Sequence, residues 1–230
     1  MAPAFSLYAW LWAAVFAVFG LPIIAGIIVA LPREAAWRLI GRIARFALAM
    51  IGIRVRLGGA EYLQAGRNYV VMGNHVSFLD IFLFAAAFPR PVIAVEKREN
   101  FRLPIYGWLV ARWGNVPIHR EDRDEAIKAM DEARARVGAI DCSLVVMPEG
   151  TRTRTGEMGP FKRGGFHLAV QSGLSILPFT FIGAYDVHPT GTWRFRPGTV
   201  ALQMHPPIDP SHYGIAGLDQ LMGAVRDAIA

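Results

Sequence analysis

The chain has 230 residues, 53% hydrophobic and only 18% charged, oilier than a soluble domain, whose charged share is about 25%. Its net charge of +6 suits nucleic acid, an anionic membrane or a phosphorylated substrate. It has no zinc-finger spacing, basic zipper or basic-aromatic RNA-binding signature, so no nucleic-acid partner is expected, and its single cysteine, Cys142, excludes an intrachain disulfide and reads as a buried thiol.

No charged side chain precedes Arg33, and residues 5–31 form a nearly continuous apolar run. As a helix this run would be about 40 Å long, against a bilayer core of about 30 Å. Gly20-Leu21-Pro22 interrupts it, which leaves a span, a kinked helix and a re-entrant hairpin open. A cleaved signal peptide would carry a basic start and a shorter apolar core. Residues 33–53 differ in character. Arg38, Arg42 and Arg45 share one helical face, and Trp37, Ile40, Ile43, Phe46, Leu48 and Met50 cover much of the rest. The segment reads either as an interfacial helix with snorkelling arginines or as an amphipathic helix packed on the domain. Arginines just after the apolar run favour a cytoplasmic location for the C-terminal side of that run.

From residue 54 onward, strand-like and helix-like stretches alternate. Strands are predicted at 69–72, 91–95, 116–118, 143–147, 176–182 and 199–204, rich in Val, Ile and Leu as in a sheet buried on both faces. Helices are predicted at 78–87, 103–111, 122–137, 163–172 and 218–228. The pattern predicts an α/β fold, with a central, mostly parallel or mixed sheet flanked by helices. Two regions are expected: a membrane-embedded or interfacial helical segment over 1–53 and a catalytic domain over 54–230.

The stretch Asn74-His75-Val76-Ser77-Phe78-Leu79-Asp80 comes directly after the first of these strands. Ligands of α/β sheets sit at the carboxyl ends of strands. An imidazole there can take a proton near neutral pH. A turn could fold Asp80 back onto His75 and fix its tautomer. A plainer reading has Ser77 cap the helix with Asp80 as its capping-box partner, leaving His75 an ordinary loop residue. Glu149-Gly150-Thr151-Arg152 ends a second apolar run and supplies a fixed cation. Arginine presents paired donors that match phosphate geometry. Lys162 and Arg163 fall where a helix starts, so amide dipoles could add to an anion site; a solvated basic loop is the bland alternative. Gly-x-Ser-x-Gly, phosphate-loop and metal-ligand spacings are all absent, and His119, His167, His188, His205 and His212 are scattered.

Together these motifs resemble the glycerolipid acyltransferases of the lysophosphatidic acid acyltransferase family, whose signature is His, four residues, Asp, and a later Glu-Gly-Thr-Arg. Gly114-Asn115-Val116-Pro117-Ile118-His119-Arg120 resembles the family's second block, and Met147-Pro148-Glu149-Gly150-Thr151-Arg152 its third. Ile176-Leu177-Pro178-Phe179 resembles the fourth, and Phe161-Lys162-Arg163-Gly164 is also family-like. Met147 and Thr153 depart from the family's more frequent Phe and Ser.

The resemblance implies that His75 is the general base, oriented by Asp80, and that Arg120 and Arg152 bind the acceptor's phosphate. Glu149 and Gly150 belong to the acceptor-binding block, Glu149 in an organising role. Asn74, Thr151, Lys162 and Arg163 complete the expected substrate-binding set. The implied reaction is direct acyl transfer from acyl-CoA or acyl-carrier protein, as co-substrate, to the sn-2 hydroxyl of 1-acylglycerol 3-phosphate, giving phosphatidic acid, with no cofactor and no metal. The implied partners are the bilayer, a lysophospholipid acceptor and the acyl donor. The implied location is the bacterial inner membrane, with the catalytic domain on the cytoplasmic side. Two alternatives stand beside this: another lysolipid acceptor such as lyso-ornithine lipid, or a non-catalytic membrane lipid-binding protein.

Overall fold

The computed structural model describes residues 2–119, 121–140 and 142–230. The apolar run forms α1 (Ala2–Val15), a π-helical turn (Phe16–Gly20) and α2 (Leu21–Ala30) without a break. Gly20-Leu21-Pro22 therefore does not reverse the chain. The π turn takes up the change in register just before Pro22, which has no N–H to give. A Cβ at Gly20 would stand 2.7 Å from the Phe16 ring, so the turn needs glycine there.

The reversal comes at Leu31-Pro32, and α3 (Arg33–Met50) runs back. α3 buries Ala36, Trp37, Ala44, Ala47 and Leu48. It lies close along α4 (Asp80–Ala87): Trp37 Nε1 donates to the Phe88 carbonyl at 2.8 Å and Arg45 Nη2 to the Ala86 carbonyl at 2.6 Å. The segment is thus an amphipathic helix packed on the domain. Arg38, Arg42 and Arg45 are all exposed, and Arg45 also reaches the Ala86 carbonyl near the end of α4.

The first half of the apolar helix is tied to the body of the protein. Tyr8 Oη donates to the Met50 carbonyl, Trp12 Nε1 to the Ala47 carbonyl and Trp10 Nε1 to the Trp193 carbonyl, at 2.9–3.0 Å. Ser6, fully buried, accepts the Phe195 N–H at 3.0 Å. Its other face is bare: Leu7, Leu11, Val15, Val18, Phe19 and Ile23 are all exposed, with Phe46 of α3 beside them in character.

Seven strands form one mixed sheet in the order β1-β7-β6-β2-β5-β3-β4. They are β1 (Ile53–Gly58), β2 (Val70–Gly73), β3 (Val92–Lys97), β4 (Val116–Ile118), β5 (Ser143–Val146), β6 (Ile176–Ile182) and β7 (Gly198–Met204). All neighbours are parallel except β6 and β7, so β1 and β7 run against the other five. Central β2 and β5 are buried at every position, as a sheet covered on both faces requires. The remaining helices are α5 (Tyr106–Trp113), α6 (Arg123–Ala139), α7 (Gly164–Ser172), the short α8 (Ala184–Val187) and α9 (Leu218–Ile229).

β1 is absent from the predicted elements. Ile53-Arg54-Val55-Arg56-Leu57 alternates with period two, as a half-buried edge strand does, but the helical reading of 33–53 covers its start. The expected division at 53/54 thus falls inside β1, and one continuous core joins Ala9, Ala36 and Leu48 to the sheet residues.

Parallel pairing of β2 with β5 sets up the site. Both strands point the same way, so the loops leaving their carboxyl ends, 74–79 and 147–163, emerge side by side.

Candidate active site

His75 and Asp80, five residues apart, are brought together. His75 Nδ1 lies 2.7 Å from Asp80 Oδ2. The same oxygen accepts the Val76 N–H at 2.8 Å, and Oδ1 accepts the Ser77 N–H at 3.0 Å. A carboxylate only accepts, so Nδ1 carries the hydrogen and Nε2 is left as a proton acceptor. Asp80 is 3% exposed and His75 20%, which suits a fixed orienting group beside a reachable base. The capping reading is met only in its Asp80 half, because the residue at the N-cap of α4 is Leu79 and not Ser77. Asp80 opens α4 and reaches back to the Ser77 N–H, Ser77 Oγ accepts the Leu79 N–H at 3.3 Å, and the same carboxylate holds the imidazole.

Glu149 joins the two loops. Its carboxylate, 4% exposed, accepts the His75 N–H at 2.8 Å through Oε1 and the Gly159 N–H at 2.7 Å through Oε2. The Thr153 N–H returns a hydrogen bond to the His75 carbonyl at 2.9 Å. Glu149 also stands at the base of an open cleft of about 320 Å³, walled by residues 151–155, Glu157, Met158 and Gly159. Arg152 is exposed on this cleft, with Thr151 beside it.

Gly150 holds φ +69°, a left-handed turn that glycine adopts at least cost, and a Cβ there would stand 3.0 Å from the Lys162 side chain. Lys162 is thereby laid against the Glu149-Gly150 turn, and its N–H donates to the Pro148 carbonyl at 2.7 Å.

Two expected site residues, Arg163 and Asn74, stand apart from that picture. Arg163 is directed to Asp219 of α9, Nη2 to Oδ1 at 2.7 Å, an exposed surface pair. Asn74 spends its side chain on the sheet: Nδ2 donates to the Phe181 carbonyl at 3.1 Å and Oδ1 accepts the Phe181 N–H at 2.7 Å. Arg120 lies outside the described residues.

His188 is the residue that sequence reading passed over. Its Nδ1 sits 3.2 Å from Ser77 Oγ inside the His75–Asp80 loop. Its ring packs edge-on to Phe78, at 4.7 Å between centroids, and against Phe195 at 4.5 Å. Trp10 of α1 stacks on Phe78 at 5.7 Å and meets the His188 ring edge-on at 6.3 Å. Burial pushes the His188 imidazole below its ordinary pKa, and the charge of Arg152 acts in the same direction. His119 is not isolated either. It lies with Asp122 and Glu125, but Glu125 pairs with Arg98 at 3.0 Å and Asp122 accepts the Asp124 and Glu125 N–H groups.

The fold is thus a mixed α/β sheet that carries an oriented histidine beside a cleft lined by Arg152, Arg154, Glu149 and Glu157. Residues 54–182 match the acyltransferase family model, and the chain belongs to the acyltransferase family. It is 32% identical over 176 residues to a 1-acyl-sn-glycerol-3-phosphate acyltransferase from Limnanthes douglasii, covering 76% of this chain and 62% of the relative. It is 34% identical over 159 residues to 1-acyl-sn-glycerol-3-phosphate acyltransferase alpha from Homo sapiens, covering 69% and 56%. The chain thus spans less than two thirds of the length of these relatives. The solved structure of the 1-acyl-sn-glycerophosphate (LPA) acyltransferase PlsC from Thermotoga maritima is similar across 99% of this chain and 92% of that one, with a TM-score of 0.83 and 26% identity.

Proposed function

We propose that this protein transfers an acyl chain from an acyl thioester, acyl-CoA or acyl-carrier protein, to the sn-2 hydroxyl of 1-acylglycerol 3-phosphate. The observation that carries the reading is the His75–Asp80 pair, joined through Glu149 to the cleft that bears Arg152. His75 Nε2 takes the proton of the acceptor hydroxyl as that oxygen attacks the thioester carbonyl. The tetrahedral intermediate then expels the thiolate, which takes the proton back from the imidazolium and leaves as the thiol. Asp80 holds the imidazole and stabilises its charge between the two steps. Arg152 binds the acceptor's phosphate, with Lys162 and the Thr151 hydroxyl alongside. Glu149 organises the two loops, since both its oxygens already accept backbone N–H groups.

The 28-residue apolar helix gives the enzyme its access to lipid. At about 42 Å it is long enough to cross a bilayer. Yet residues 6–12 are hydrogen-bonded to the domain, and at the other end Ile27 and Ile28 pack against the same core. With both ends held on one body, the helix lies in the membrane face of the protein and α3 returns behind it. In a bacterial cell this face would sit on the cytoplasmic side of the inner membrane, where the arginines after the apolar run would be retained.

The acceptor is tested by supplying lysophosphatidic acid, lyso-ornithine lipid or glycerol 3-phosphate with a long-chain acyl thioester and identifying the product by mass spectrometry. Phosphatidic acid from lysophosphatidic acid alone is expected, weakened roughly 10–150-fold by Arg152→Ala, the worth of a charged hydrogen bond. Product from lyso-ornithine lipid alone, indifferent to Arg152→Ala, would overturn the acceptor.

A further inference from the structure

A second cavity, lined by two arginines, lies away from the Arg152 cleft. It holds about 200 Å³ where α2 ends against α5 and is lined by Ile28, Val29, Leu31, Arg33, Arg112 and Trp113. The Arg33 guanidinium lies over the Trp113 ring, 4.7 Å from its centroid, and Trp113 stacks in turn on Trp37. That stack fixes the guanidinium, while its Nη1 is buried with no hydrogen-bond partner among the described residues. Arg112 is exposed in the last turn of α5 and has no described partner. No acidic side chain lines the cavity. A buried, unsatisfied guanidinium N–H is costly and calls for an acceptor. Two guanidinium groups on one cavity call for an anionic one, and their planar donors fit phosphate oxygens.

The surroundings say where that phosphate comes from. Ile28 and Val29 are in the last turn of the apolar helix and Leu31 caps it, with Val29 63% exposed. Trp108 lies one helical turn before Arg112 on α5 and is exposed, as are Leu103 and Ile105 at the approach to that helix. Ile105 holds φ +60°, which a β-branched residue rarely adopts, in a tight turn closed by the Tyr106 N–H on the Pro104 carbonyl at 2.6 Å. The turn is braced from below, with Tyr106 Oη donating to Glu96. Apolar side chains, then tryptophan, then arginine is the order in which side chains meet acyl chains, interface and headgroups.

We propose that this cavity binds the phosphate of an anionic membrane lipid, separately from the acceptor, with Arg33 and Arg112 as donors and the end of α2 against the lipid's first methylenes. The proposal rests on the membrane reading of the apolar helix and is independent of the acyl-transfer reaction. It is tested on the full chain in detergent by thermal shift with dihexanoylphosphatidylglycerol, dihexanoylphosphatidylcholine and inorganic phosphate, with flotation on phosphatidylcholine vesicles alongside. A saturable upshift with phosphatidylglycerol is expected, weakened roughly 10-fold or more by Arg33→Gln or Arg112→Gln and unchanged in Arg134→Gln, which removes the same charge from an exposed site on α6. Arg112 is exposed, so its variant decides the matter if Arg33→Gln fails to fold. An equal shift with phosphatidylcholine or inorganic phosphate, or equal weakening by Arg134→Gln, would overturn the site. Failure to float would overturn the membrane reading beneath it, whereas flotation without an arginine-dependent shift would overturn the site alone.

Discussion

Glu149 bears the most on the active site without being expected to touch the reacting atoms. Its two oxygens hold the N–H groups of His75 and Gly159, and it is almost completely buried. Glu149→Gln replaces one acceptor by an NH₂ group that faces an N–H donor. The expected loss is about 1.5–3 kcal/mol of stability, read from the urea midpoint, together with reduced acyl transfer as His75 loses its support. A midpoint equal to wild type would contradict the organising role. His188 gives a pH-dependent prediction. Its pKa is lowered on folding, so the unfolded chain takes a proton first as the pH falls. Its contribution is therefore full above the unfolded value of about 6.5 and is lost as pH drops from there through the folded value. Urea titrations between pH 8 and pH 5 should show a shallower acid-side loss for His188→Gln, with half-buried His205 adding the same sign in both proteins. Identical slopes would rule His188 out as a contributor.

The helices and strands show which contacts the chain order reveals. The His75–Asp80 pair was legible because one turn spans its five residues, and Glu149 because its motif comes after an apolar strand. His188 was not, since 111 residues separate it from Ser77 and only the β6–β7 excursion brings α8 back to the β2 loop. The pairing of Arg163 was not legible for the same reason: its partner Asp219 lies 56 residues on, on a helix with no motif. The helix pair α3 and α4 depends on Gly41, where a Cβ would stand 2.8 Å from the Ala85 carbonyl oxygen. Gly41→Ala should therefore cost about 1–3 kcal/mol through overpacking. Because α4 begins at Asp80, the same shift should lower turnover. A variant as stable and active as wild type would show that α3 and α4 can separate without disturbing the pair.

Across the whole molecule, the apolar helix is part of the scaffold rather than a detachable anchor. Trp10 stacks on Phe78 of the 74–79 loop, Ser6 holds the Phe195 N–H, and Ala9 belongs to the common core. The sequence marked this helix by composition alone and held no sign of these contacts, because a uniformly apolar face does not distinguish lipid from protein neighbours. The five-stranded parallel part of the sheet was legible from its Val, Ile and Leu runs, whereas β1 was hidden by the helix before it. The proposed chemistry at the centre of this architecture reduces to one proton acceptor. Thiol release from a long-chain acyl thioester in the presence of lysophosphatidic acid, compared between wild type and His75→Ala with matched unfolding midpoints, tests it most directly. A general base at His75 predicts a loss of roughly 10²–10⁴-fold; release by the variant at close to the wild-type rate would contradict it.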